Sequence, residues 1–389
     1  MSRAPLFLIG ALAVTLALPP FTASAAIVSE INCGDCLDDD ADDLVDRNDP
    51  DCNSPIANGG NVGLGDVARG KVIAKCAKTI QKAGTKLVLG TMKQMQKCTQ
   101  AAAACLQSKP GDAACQAKAV ATCDKIQGAI RAGINKAEDT IVRCDPDGVA
   151  QPDLVSLQGL GFSAEDCNNG TTGLIAGNCV VDQHLCRAEH LVGIATPRAR
   201  ELMIFGGLDP DSAFPCLSDY PAQVVDGGGS SVDPTHAKAL LKCGKTIDKL
   251  SLSLLGAAAK TVQGCLDAGI ACLQVKPTDP ACLTKAQAKC AKGFGKLQNP
   301  TKGTIAKIAG KFLKVCSPGP NLSLVDVGGT SGLGLTALID RCDLLGASGI
   351  DRCFGAQAFC EGGYIVERQV PRARELADLL GVVIPGFDF

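Results

Sequence analysis

The stretch KCTQAAAACLQSKPGDAACQAKAVATC, residues 97–123, decides the fold. Two cysteines, Cys98 and Cys105, precede a central Lys109-Pro110-Gly111-Asp112, and two more, Cys115 and Cys123, follow it. Within each pair the spacing is seven or eight residues, close to two turns of an α-helix. The Pro-Gly step breaks any helix between the pairs, and Asp112 is suited to cap the helix that follows. Folding the chain at this turn sets the cysteines opposite each other in order, as Cys105–Cys115 and Cys98–Cys123. Further out, Cys76 lies 29 residues before Cys105, and Cys144 lies 29 residues after Cys115. That distance is again near a whole number of turns, so a third bridge, Cys76–Cys144, is expected. The element is an antiparallel helical hairpin closed by three nested disulfides.

The same comb recurs downstream, where Cys272–Cys282, Cys265–Cys290 and Cys243–Cys316 are the corresponding bridges. Asp279 followed by Pro280 supplies the cap and the favoured first helical residue. The return arm here is longer, 34 residues against 29. The surplus falls at Gln298-Asn299-Pro300-Thr301, where proline interrupts the helix and extra chain can loop out. The repetition extends beyond cysteine: Pro197-Arg198-Ala199-Arg200-Glu201-Leu202 returns as Pro371-Arg372-Ala373-Arg374-Glu375-Leu376. This is a duplication. The chain is therefore expected to be mainly α, with two tandem disulfide-stapled helical-hairpin domains, residues 66–210 and 233–389. A Gly- and Ser-containing linker, residues 211–232, joins them. Each repeat also carries three later cysteines. Cys179 and Cys186, like Cys353 and Cys360, are two helical turns apart, too far to bridge each other, so partners such as Cys167 and Cys342 are expected. Cys216 lies outside the repeats. Thr196 before Pro197 reads as the cap of a further short helix.

Bridging is what such a hairpin needs. The 389 residues contain no Trp, two Tyr and eleven Phe, so a large aromatic core is not available. A two-helix unit rich in Ala and Lys is marginal by itself, and each disulfide contributes roughly 2–4 kcal/mol. Twenty-two cysteines call for an oxidising compartment. The N-terminus agrees: Arg3, an apolar stretch from Leu6 to Leu18 and Ala23-Ser24-Ala25 compose a secretory signal peptide, residues 1–25, cut near Ala25. The expected location is secreted or otherwise extracytoplasmic, with no transmembrane span. A formal net charge of -2 gives no electrostatic case for nucleic acid.

Residues 26–65 form an acidic, cysteine-containing segment. Within it, Asp38-Asp39-Asp40-Ala41-Asp42-Asp43-Leu44-Val45-Asp46-Arg47-Asn48-Asp49 alternates carboxylates, as an oxygen cage for calcium requires. This dozen residues resembles the calcium loops of EF-hand-like, dockerin and thrombospondin type 3 modules. Asp43 stands where EF-hands carry Gly and Asp49 where they carry Glu, and thrombospondin type 3 loops tolerate Asp better. The resemblance implies that Asp38, Asp40, Asp42, Asp46 and Asp49, with the Leu44 carbonyl, hold a structural calcium ion.

Other chemistry is thinly signalled. His184, Cys186 and His190 share one helical stretch, and Cys186-x-x-x-His190 has metal-like spacing. The second repeat has Ala358 and Tyr364 at the histidine positions, so a disulfide cysteine beside exposed histidines is expected. Arg198/Arg200 and Arg372/Arg374 are expected to cap and pair locally on solvated helices. The Gly328–Gly334 run reads as a loop. The residues show no nucleophile–base pair and no phosphate-cradling motif. Two function classes remain in front. One is a secreted structural or interaction protein with a calcium-bearing segment and a protein or surface partner. The alternative is an extracytoplasmic carrier of an apolar small molecule or lipid. An enzyme is the least favoured reading.

Overall fold

The computed structural model describes residues 59–144, 151–162, 173–218, 229, 234–336 and 350–384. Among them there is no β-strand. Two helices of 42 residues, α1 (Val67–Ser108) and α8 (Pro234–Val275), form the spine. At 1.5 Å per residue each is about 63 Å long. Asp66 caps α1, its carboxylate accepting from the amides of Ala68 and Arg69. The helix stops at Lys109, and Gly111, at φ +79°, takes the left-handed conformation that the tight turn demands. Asp112 then caps α2 (Ala113–Val142) through the amides of Ala114 and Cys115. In the second repeat Asp279 caps α9 (Pro280–Gln298), with Pro280 at its first turn. The surplus residues end α9 at Gln298, where the Asn299 side chain accepts from the amides of Thr301 and Lys302. The return arm resumes as α10 (Thr304–Cys316).

Both hairpins carry three nested bridges. Cys105–Cys115, Cys98–Cys123 and Cys76–Cys144 close the first. Cys272–Cys282, Cys265–Cys290 and Cys243–Cys316 close the second. Interrupting the return arm therefore leaves the outer bridge in place.

The remaining helices are α3 (Gln151–Val155), α4 (Gly173–Ala195), α5 (Ala199–Phe205), α6 (Pro210–Ala213) and α7 (Pro215–Ser218) in the first half. In the second half they are α11 (Leu324–Gly328), α12 (Ile350–Gln369) and α13 (Ala373–Leu380). Residues 210–218, read from sequence as the end of the repeat and the start of the linker, are folded onto the first repeat. Phe214 and Leu217 are buried, and Cys186 bridges to Cys216. Cys186 thus pairs with the cysteine that the repeat comb left outside, not with Cys167 or Cys342.

α1 and α8 run antiparallel. Gln100 of α1 bonds Asp248 of α8, and at the other end the Gln263 side chain of α8 donates to the Gln81 carbonyl of α1. Between them Leu89 packs on Gly256. The spine is thus close to two-fold symmetric, with α4 lying on α1 and α2, and α12 on α8. The hydrophobic core follows this symmetry and belongs to both repeats. Ile73, Ile80 and Leu87 of α1 join Leu254, Val262 and Leu266 of α8 in one buried cluster. Phe294 of α9 meets Phe359 of α12 edge-on at 6.0 Å between ring centres. Burying each such aliphatic side chain contributes roughly 1.5–3 kcal/mol, so the α1–α8 seam is a principal source of stability beside the disulfides.

Candidate functional site

The calcium-loop residues Asp38, Asp40, Asp42, Leu44, Asp46 and Asp49 lie outside the described residues. Three other places gather chemistry: the repeat interface, the Cys186–Cys216 bridge, and a groove along the first hairpin.

At the interface two of the four recurrent arginines, Arg198 and Arg372, differ from expectation, while Arg200 pairs with Asp211 at the surface. They do pair locally, Arg198 with Glu201 and Arg372 with Glu375, each through two hydrogen bonds. They are not on solvated helices, since both guanidinium side chains are almost fully buried. Each reaches the opposite repeat. Arg198 donates to the carbonyls of Ser331 and Gly332 at 2.7 Å, and to Gly229. Arg372 donates to Gln158 at 2.8 Å, Gly159 at 3.2 Å and Val62 at 2.9 Å. The acids complete the exchange: Glu375 accepts from the amides of Gly59 and Asn61, and Glu201 from Gly229. Glu375 is held below the usual carboxylate range by Arg372 and these amides, against the opposing effect of burial.

The two gripped loops are alike. In each, an amide bonds back to an aspartate carbonyl, Leu160 to Asp153 and Leu333 to Asp326. A Cβ on Gly159 or Gly332 would lie 1.7 Å from that same carbonyl oxygen, so only glycine fits. The aspartates are anchored in parallel, Asp153 to Arg69 and Asp326 to His236. The geometry is a reciprocal clasp: the arginine of one repeat closes the loop of the other.

Beside the clasp lies a small cavity of about 50 Å³ lined by Leu240, Ile247, Leu202 and Asp248. That volume admits water but not a metabolite. Asp248 is buried, accepting from Gln100 at 2.6 Å and from the Thr196 hydroxyl at 3.0 Å. Thr196 is therefore an interface residue; α5 starts at Ala199, with no side-chain cap. Burial pushes the Asp248 carboxyl up to about 7, against those two hydrogen bonds. Between pH 4 and 7 the native chain then holds a proton that the unfolded chain has released, so this group's contribution to stability falls as pH rises. Asp248→Asn is expected to gain stability relative to the parent by on the order of 3 kcal/mol across that window. Paired denaturant titrations at pH 4.5 and 7.5 measure the difference, and equal shifts at both values would refute it.

The histidines also depart from expectation. His184 is buried rather than exposed, with Nδ1 2.5 Å from the Val180 carbonyl and Nε2 2.8 Å from the Gln369 amide. Burial lowers it to about 4. His190 is lowered to about 4 by burial and then by Arg187. Cys186, His190 and Cys216 converge as a metal site would, with His190 Nε2 3.9 Å from Cys186 Sγ. Both sulfurs are committed to the bridge, so the thiolates that a zinc site needs are not available.

The third place was missed by sequence reasoning. A groove of about 330 Å³ runs between α1 and α2. Ala83, Leu87 and Ile130 form its floor, and Lys82, Lys86 and Lys136 rise from its rim. Among the described residues, the equivalent place in the second hairpin is filled. Leu250, Ile308 and Phe312 pack there and leave about 20 Å³.

No known protein family, curated protein or solved structure matches this chain.

Proposed function

We propose that the chain is a secreted, non-catalytic structural or interaction protein, a disulfide-braced helical body behind a calcium-stiffened N-terminal segment. One observation carries the reading. Each buried ionisable side chain among the described residues is engaged in holding the fold. Arg187 pairs with Glu361, Arg374 with Glu367, and Glu189 receives the Cys216 amide. The arginine clasps and the Asp248 contacts join the two repeats in the same way. Catalytic groups are usually perturbed groups poised toward a cleft, and here the perturbed groups face partners of their own chain. The bridges fit an oxidising compartment, and no described helix is long and apolar enough to cross a membrane.

The calcium segment and the signal peptide are tested together. Chain exported into an oxidising compartment is expected to begin at Ala26. Its denatured mass should lie 22 hydrogens below the reduced value, one per cysteine. Native mass should carry calcium that a chelator removes, and Asp40→Ala with Asp42→Ala should abolish the adduct while leaving the mass deficit intact. Free thiols, or calcium retained by that variant, would overturn the reading. A second reading, a carrier, is favoured by one observation, the open groove of the first hairpin.

A further inference from the structure

We infer that the α1–α2 groove is a binding site for a single-chain anionic amphiphile, a carboxylate head on an unbranched apolar tail. The argument begins with shape. The lining runs from Thr79 to Gln94 along α1, ~22 Å at 1.5 Å per residue. A volume of about 330 Å³ spread over that length makes a long, narrow trough with room for one extended chain.

Charge divides the trough into two ends. The bridges Cys76–Cys144 and Cys98–Cys123 fix the register of the two helices. In that register Lys136 of α2 lies opposite the interval between Lys82 and Lys86 of α1. Three ammonium groups thus share one end, and no carboxylate lines the groove. Lys82 also feels Asp267 of α8, whereas Lys86 and Lys136 form no ion pair among the described residues. Like charges gathered without a counter-charge repel each other, and an anion placed among them relieves that cost. Away from the lysines the groove continues over Leu87 and Ile130 to Gln94, ~10 Å further on.

The duplication provides an internal control. Seven residues after the first cysteine of each hairpin stands Ala83 in one repeat and Leu250 in the other. Eight and four residues before the last bridged cysteine stand Lys136 and Thr140 in one, and Ile308 and Phe312 in the other. Both hairpins have the same bridges, yet one fills its groove with its own side chains and the other lines it with small and cationic residues. The open state is therefore not a by-product of the hairpin.

Two glycines keep the groove open and make the test clean. A Cβ on Gly90 would meet nothing within 4 Å, and one on Gly133 only Leu87, at 3.8 Å. A side chain can therefore be added at either place without a clash at its Cβ, and leucine there both occupies the trough and favours helix over glycine. The experiment is calorimetric titration of the full-length oxidised protein with dodecanoate, kept below micelle formation, and with dodecyltrimethylammonium as the cation of equal tail. Saturable binding of dodecanoate at one site, with none of the cation, is expected. Gly133→Leu and Gly90→Leu should each abolish it at unchanged or raised thermal stability. Lys136→Gln should weaken it about fivefold, an effect that shrinks with added salt. Filling what remains of the second groove, by Ala309→Leu, should change nothing. No binding of dodecanoate, equal binding of the cation, or binding that survives both glycine variants would overturn the inference.

Discussion

Replacing Arg372 by methionine is expected to destabilise the folded chain by about 3–5 kcal/mol, among the largest losses available to a single substitution. The guanidinium is buried with its partner Glu375, and side-chain exposure is 3 % for each. Methionine retains the packing of the stem but leaves Glu375 without its cation. It also strips the donors from the carbonyls of Gln158, Gly159 and Val62. Of these the Gly159 carbonyl is buried, and a buried acceptor without a donor costs about 1–3 kcal/mol. Glu375 keeps the amides of Gly59 and Asn61, so the loss should stop short of complete unfolding. Denaturant titration of the oxidised protein gives the magnitude, and hydrogen exchange gives the place: protection should vanish first at residues 156–161, which belong to the other repeat. Arg372→Met with Glu375→Leu should recover part of the loss, because the orphaned charge is gone. A cost below about 1 kcal/mol, or exchange confined to α13, would contradict the clasp.

The second large effect concerns the outer bridge of the second hairpin. Cys243 and Cys316 are separated by 73 residues, against 10 for Cys272 and Cys282. In the chain-entropy account, a long closed loop is stabilised by about 4 kcal/mol and a short one by about 3, before nesting reduces both. The longer bridge also holds α10, which otherwise packs through Ile308 and Phe312 on α8 and touches α9 and α12. Replacing Cys243 and Cys316 together by alanine should therefore cost about 4 kcal/mol. It should also open residues 299–303 to proteolysis. The same exchange at Cys272 and Cys282 should cost less and leave that link resistant. An inner-pair variant as unstable as the outer-pair variant would refute the ordering.

The hairpins were legible in the sequence because cysteine spacing reports helix geometry directly. Pairs set near whole turns on either side of a Pro-Gly break admit one in-order pairing, and capping aspartates mark where each return helix begins. Cys186 was not legible in this way, since its partner Cys216 lies beyond the comb and is brought near by two four-residue helices. The clasp left only one trace, the recurrence of Pro-Arg-Ala-Arg-Glu-Leu. Its partners are backbone carbonyls, which have no letter in a sequence. The groove was harder still, because it is made by what side chains do not occupy, at Ala83, Gly90 and Gly133. Aligning the two repeats at their cysteines would have exposed it, as lysine stands at 136 where isoleucine stands at 308. The calcium segment rests on its alternating aspartates alone.

The clasp also fixes when the protein can be finished. The loop at residues 158–159 is closed by an arginine 213 and 214 positions later in the chain. A ribosome delivers the early half long before the late one, so the first hairpin can form its bridges while its own loop stays open. Completion waits for the last few turns of helix, in a contact pattern of the long-range kind that slows folding. A chain truncated before residue 371 would keep all twenty-two cysteines and still lack the part that locks its beginning.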